Sequence, residues 1–115
     1  MYVLDKKMMA MGTTMLVLKL LEEEDLYGYQ MIRKLEERSN SVFSLKEGTL
    51  YPILHGLEEQ GAVESYQKAA ETGRMRKYYH LTKKGKKLFK EKREEWEIFE
   101  GAVQNVLKGG VSFAY

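Results

Sequence analysis

The sequence predicts an α+β domain that is mostly α, and three observations predict it. A short helical stripe from Glu47 to Gly61 is followed at once by two alternating runs joined through Gly73 and Arg74. A Met-rich apolar segment stands near the N-terminus, and a long charged segment with a seven-residue apolar repeat follows the two runs. Three helical stretches, a basic hairpin and a last long helix, in that order, outline a winged helix-turn-helix.

Ten of the fourteen residues from Met8 to Leu21 are apolar and fall on more than one face. A helix apolar nearly all round needs cover on more than one side, and one small domain covers only one. Glu22-Glu23-Glu24-Asp25 ends the pattern, and Asp25 is placed to cap a second helix from about Leu26 to Arg38, burying Met31, Ile32 and Leu35. Gly28, between Tyr27 and Tyr29, is expected to permit close packing on a neighbour, and Ser39-Asn40-Ser41 is a turn signal. Val42 to Leu45 is a candidate short strand. In the third helix Leu50, Ile53, Leu54 and Leu57 follow i, i+3, i+4, i+7, which leaves Thr49, Tyr51, Pro52, His55 and Gly56 mostly on the outer side. Lys46 stands where a capping Ser or Asp is usual, and Pro52 lies past the first turn, where a regular helix loses about 3 kcal/mol; together they predict a tight or irregular start.

Ala62 to Gln67 and Met75 to Leu81 read as paired strands, with Ala69 to Gly73 as the connecting tip. Thr82 then caps a helix from about Lys83 to Leu107, stopped by Gly109-Gly110. The expected organisation is residues 1–82 as the winged-helix unit, 83–108 as the C-terminal helix and 109–115 as a tail without a clear role.

At 115 residues the chain has room for one core. It has no Cys, which excludes disulfides, thiolate metal sites and a Cys nucleophile, and fits a reducing, cytoplasmic location. No apolar run approaches the roughly 20 residues of a membrane span, and the first residues lack a signal-peptide layout. His55 and His80 are the only imidazoles and have no carboxylate at a liganding interval. With no nucleophile elbow, phosphate loop or paired-carboxylate motif either, no enzyme, metal or cofactor is expected.

The net charge of +2 hides a segregation. Residues 68–93 hold 11 Lys and Arg against 2 Glu, whereas the rest of the chain holds 8 against 15 acidic residues. A basic stretch adjoining a hairpin and a helix of groove-reading size points to double-stranded DNA. Arg74, Arg76, Lys77 and Lys46 are the candidate phosphate contacts, and Thr49, Tyr51 and His55 are the candidates nearest the bases. Tyr78 and Tyr79 are adjacent on a strand, so one is expected inward and one outward. A winged-helix module whose basic wing binds an acidic protein is the alternative reading.

Phe89, Trp96 and Val103 are spaced by seven, as are Lys92, Phe99 and Val106. This a/d seam predicts a dimer interface, completed by the outer face of the first helix. Trp96 is the single Trp; with Met8, Met11 and Met15 opposite and Phe99 and Glu100 beside it, it is a candidate site for a planar aromatic, cationic ligand between subunits.

From about Met11 to Leu88 the chain resembles the PadR-like family of transcriptional regulators. The resemblance rests on Leu26-Tyr27-Gly28-Tyr29, on Gly48-Thr49-Leu50-Tyr51-Pro52 with Leu57-Glu58 and Gly61, and on Arg76-Lys77-Tyr78-Tyr79 with Leu81-Thr82 and Gly85. It implies a homodimeric winged-helix repressor, in the short form with a single C-terminal helix, released from a palindromic operator by a small effector. Gly56 stands where the family usually has a basic residue, and Met75 where its wing often has Pro. The first departure shifts weight onto Lys46, Thr49, Tyr51 and the wing.

Overall fold

The computed structural model describes residues 4–109. Its elements are α1 (Lys6–Glu23), β1 (Leu26–Tyr27), α2 (Gly28–Arg38), α3 (Glu47–Glu59), β2 (Val63–Ala69), β3 (Met75–Leu81) and α4 (Lys83–Leu107). The strands form one antiparallel sheet in the order β1-β3-β2. This is the mostly helical winged-helix fold that the sequence predicts.

The apolar residues of α1 divide between its two ends. Val17, Leu18, Leu20 and Leu21 are buried against α2, β3 and α4, while Met8 and Met11 nearer the start are about half exposed. Asp5 begins the helix two residues before the expected first turn by accepting a hydrogen bond from the Met8 amide at 2.9 Å. The expected stripe of α3 is in place: Leu50, Leu54 and Leu57 are buried and Ile53 packs against the core. The start of α3 is tight, with the Lys46 carbonyl accepting from both Thr49 and Leu50 amides at 3.0 Å. Thr82 caps α4 by accepting from the Gly85 amide at 3.0 Å, and Gly109, at φ +83°, follows the helix's end. The expected tail beyond Gly109 lies outside the described residues.

Three expectations are corrected. Leu26 and Tyr27 do not open a helix; they pair with Tyr79 and Tyr78 as β1, because the edge of β3 offers the backbone partners that an isolated two-residue strand lacks. Asp25 therefore does not cap α2. The N-cap is Tyr27, whose amide donates to the Gln30 side chain at 3.1 Å. Val42 to Leu45 is not a strand, since no sheet edge reaches it. Leu45 joins the core there, Phe43 packs against it, and the Phe43 amide donates to the Ser39 hydroxyl at 2.8 Å.

The hairpin register is continuous from Val63↔Leu81 to Ala69↔Met75. One sheet face carries Val63, Tyr79 and Leu81 into the core, and the other carries Tyr66, Lys68, Arg76, Tyr78 and His80. Tyr79 points inward as one of the two adjacent tyrosines must. Tyr78 points outward yet is only 7% exposed, because Tyr66 stacks on it at 5.7 Å and Tyr27 meets it edge-on at 5.3 Å. No described helix is long and apolar enough to cross a membrane.

Candidate nucleic-acid interface and the grooves beside Trp96

The outer face of α3 is nearly bare. Gly48, Thr49, Pro52 and His55 lie along it, all exposed, and a side chain built on Gly48 or Gly56 would meet nothing within 4 Å. A helix surfaced with two glycines and a proline brings its backbone unusually close to whatever it docks on. Thr49 and His55 are the exposed polar side chains on that face that the sequence nominated, and Lys46 sits exposed at its N-terminal end. The Lys46 side chain caps nothing, which leaves the first amides of α3 without a side-chain partner beside an exposed lysine.

Tyr51 occupies a different place from its three neighbours. It is half-buried and packs against the core, with its ring end turned onto Gly28 at the start of α2. Its phenol therefore lies at the seam between α2 and α3 and not on the exposed crest of α3.

The three nominated wing cations point three ways. Arg74 is exposed in the tip turn, which is closed by the Ala70 amide donating to the Arg74 carbonyl at 2.8 Å. Lys77 faces the α3 side, 3.9 Å from a Glu58 carboxylate oxygen and 5.6 Å from the Tyr79 ring centroid. Arg76 faces the opposite side, its guanidinium carbon 5.3 Å from the centroid of Tyr27. Lys68, which the sequence reading passed over, pairs with Arg76 across the hairpin and sits 5.0 Å from the Tyr78 centroid. Strand alternation carried the signal, because Tyr66 and Lys68 alternate in phase with Arg76 and Tyr78.

Asp25 ties this outer face to the end of α1. Its carboxylate accepts from the Tyr66 hydroxyl at 2.7 Å and meets His80 Nδ1 at 2.9 Å. Burial works to raise the Asp25 carboxyl, but the hydrogen bonds from Tyr66 and His80, with the charge near it, outweigh burial and hold it below its ordinary value. The same bond, with burial second, pushes the Tyr66 phenol up to about 12.

A second set of nominated residues lies where α4 crosses α1. Trp96 is half-buried there between two grooves, of about 260 Å³ and 350 Å³. Met11, Met15, Trp96 and Phe99 share the first with Thr14 and Lys92. Met15 and Trp96 also line the second, with Phe89, Arg93, Glu97 and Glu100. The Trp96 and Phe99 rings lie 5.9 Å apart. Met8 borders neither groove. Of the seven-residue repeat, Phe89 belongs to the core, Lys92 and Trp96 are half-buried, and Phe99, Val103 and Val106 are exposed. From Glu97 to Leu107 every residue of α4 is exposed, Val106 and Leu107 by 77% and 74%.

The profile of the transcriptional regulator PadR-like family matches residues 17–91, which span α2, α3 and the whole sheet. An uncharacterised protein of Lysinibacillus sphaericus is 33% identical over 94 residues, covering 82% of this chain and 86% of that relative. A transcriptional regulator from Clostridium thermocellum superposes with a TM-score of 0.79 at 32% identity, covering 87% of this chain and 97% of that one. A PadR family transcription regulator from Clostridium difficile is 34% identical with a TM-score of 0.70, over 84% and 98% of the two chains. The bare outer face of α3, the basic wing and the long last helix are thus the parts of a winged-helix regulator rather than of an enzyme, and the chain belongs to the PadR-like family of transcriptional regulators.

Proposed function

We propose that the protein is a cytoplasmic, homodimeric repressor that binds a palindromic operator and leaves it when a planar aromatic cation binds beside Trp96. The observation that carries this reading is the apolar stripe on the free end of α4. Phe99, Val103 and Val106 lie exposed there, and Met8 and Met11 lie exposed on α1. Soluble proteins rarely leave such a stripe to water, and a two-fold axis that lays α4 on the partner's α1 covers it with the same surfaces twice. The grooves flanking Trp96 are then walled on their open side by the second subunit. Stacking on Trp96 holds a flat ligand, the methionines adapt to its outline, and Glu100 favours positive charge in a partly dry site.

On DNA, Lys46, Arg74, Arg76 and Lys77 serve as phosphate contacts, and Thr49 and His55 lie nearest the bases. Tyr51 sets how α3 rests on α2 and presents its hydroxyl at the flank of the docking face. Because the paired α4 helices set the spacing of the two α3 helices, a ligand wedged between them changes the half-site distance the dimer can span. A coupling of about 1 to 3 kcal/mol between the two sites is enough for release. Sequencing the duplexes that the protein selects from a random pool tests the reading: a two-fold palindrome is expected, and an asymmetric motif or no enrichment overturns it.

A further inference from the structure

We propose that Lys68 and Arg76 form a two-cation clamp for one phosphodiester of DNA on the outer face of the wing. The clamp rests on the DNA-binding reading above and adds a contact surface on the side of the hairpin facing away from α3. Lys68 and Arg76 stand directly opposite each other in the β2–β3 register. Like charges so placed repel, and a hairpin gains nothing from them unless something negative comes between. Neither has a carboxylate within 4 Å among the described residues, whereas Lys77, the other cation of β3 in the wing, has Glu58.

The charged heads are also held in place. Arg76 rides over Tyr27 and Lys68 over Tyr78, and those two rings meet edge to face with centroids 5.3 Å apart, so each cation rests on its own member of one aromatic cluster. Tyr66 stacks on Tyr78 and is itself fixed by Asp25. Packing of this kind removes much of the freedom that a surface lysine or arginine otherwise loses on binding.

The Arg76 side chain makes no hydrogen bond among the described residues: its Nε is enclosed without a partner, and no described protein atom accepts from its terminal nitrogens, which are left to an incoming anion. Asp25 has one carboxylate oxygen on Tyr66 and the other on His80, so its charge reaches Lys68 without binding either cation. Glu64, one step further along the same face, stands opposite His80. A guanidinium fork and an ammonium carried on directly opposed residues of one sheet face suit a tetrahedral anion with several acceptor oxygens. With Lys77 turned to the opposite face, the wing carries cations on both sides, as a hairpin lying between two walls of phosphate requires.

The test measures affinity for a random-sequence duplex against salt, using wild type, Lys68→Gln, Arg76→Gln and the double variant, with melting temperature as the check on folding. Each single change is expected to flatten the slope of log K against log salt by about one unit. The double variant should lose no more than about one, since both cations serve one phosphate. Unchanged slopes, or a loss of about two units in the double variant, overturn the clamp. In a second arm, inorganic phosphate is titrated into labelled protein without DNA while the Arg76 Nε–H resonance is followed. A shift in wild type that disappears in Lys68→Gln is expected. That result with no DNA binding by wild type would make the clamp a free-phosphate site and sink the DNA reading instead. An Arg76 resonance that neither phosphate nor bound DNA moves overturns the clamp itself.

Discussion

The ring of Tyr51 lies against the backbone of Gly28, so that a methyl group at Gly28 would come within 2.9 Å of Tyr51 Cζ and nearer still to its hydroxyl oxygen. Two motifs that stand 23 residues apart in the chain thus meet at one contact, which sets how α3 leans on α2. Alanine at a helical Gly ordinarily gains about 1 kcal/mol from propensity. Overpacking against a rigid ring costs about 1 to 3 kcal/mol, and here it should win. Gly28→Ala is expected to lower stability and weaken operator binding, and the penalty should shrink in a Tyr51→Phe background, which lacks the closest atom. Urea denaturation of the four proteins decides it, and equal penalties in both backgrounds would remove Tyr51 as the cause.

Gly85 should be less forgiving. A methyl there would run into the Ala62 carbonyl oxygen and come 2.5 Å from Leu81 Cδ1. A backbone carbonyl cannot rotate away as a side chain can. Gly85→Ala is therefore expected to cost about 3 kcal/mol or more, exceeding Gly28→Ala. The same denaturation series checks the order.

Phe99→Asp places a charge in the middle of the open stripe of α4. Phe99 is 47% exposed within the protomer, so the change should leave the fold of the single chain intact. A monomeric mass at micromolar concentration and at least a tenfold loss of operator affinity are expected. Analytical ultracentrifugation reads the first, and a dimer that survives the charge would place the interface elsewhere.

Trp96→Ala should separate ligand binding from assembly. The variant is expected to remain a dimer and to lose binding of a planar cationic acridine, which in the wild type should quench the single Trp. Retained binding, or no quenching at millimolar dye, would leave Trp96 a packing residue only.

Tyr66→Phe tests the tie to Asp25 through its pH dependence. Tyr66 is raised in the folded protein, so its bond contributes fully below the ordinary tyrosine pKa of about 10 and is lost as pH climbs from there to about 12. Asp25 is lowered, so its contribution is complete above about pH 4 and is lost as pH falls through the depressed value. Because the bond is partly exposed, its loss should cost about 1 kcal/mol at neutral pH. The difference between wild type and variant should fade at both ends of the pH range. Urea midpoints across pH measure it, and a gap unchanged into the alkaline range would deny the bond.

Much of the fold was legible in the chain itself, because its signals are local. Thr82 with Lys83 to Leu107 carries a cap and a repeat within one segment, and the helix has those bounds. The stripe of Leu50, Leu54 and Leu57 and the alternation through Met75 to Leu81 likewise declare their buried faces by period alone. Only the tertiary structure decided what depends on distant partners. Leu26 and Tyr27 became a strand because β3, more than 50 residues away, offered an edge; Asp25 left its helix cap for Tyr66 and His80, 41 and 55 residues on. Tyr51 turned from the groove face toward Gly28, and Tyr78, outward by alternation, was roofed by two other tyrosines. Periodicity tells which side of an element a residue occupies; which neighbour meets it there is fixed by packing between elements, where a missing side chain at Gly28 or a vacant sheet edge matters more than any local preference.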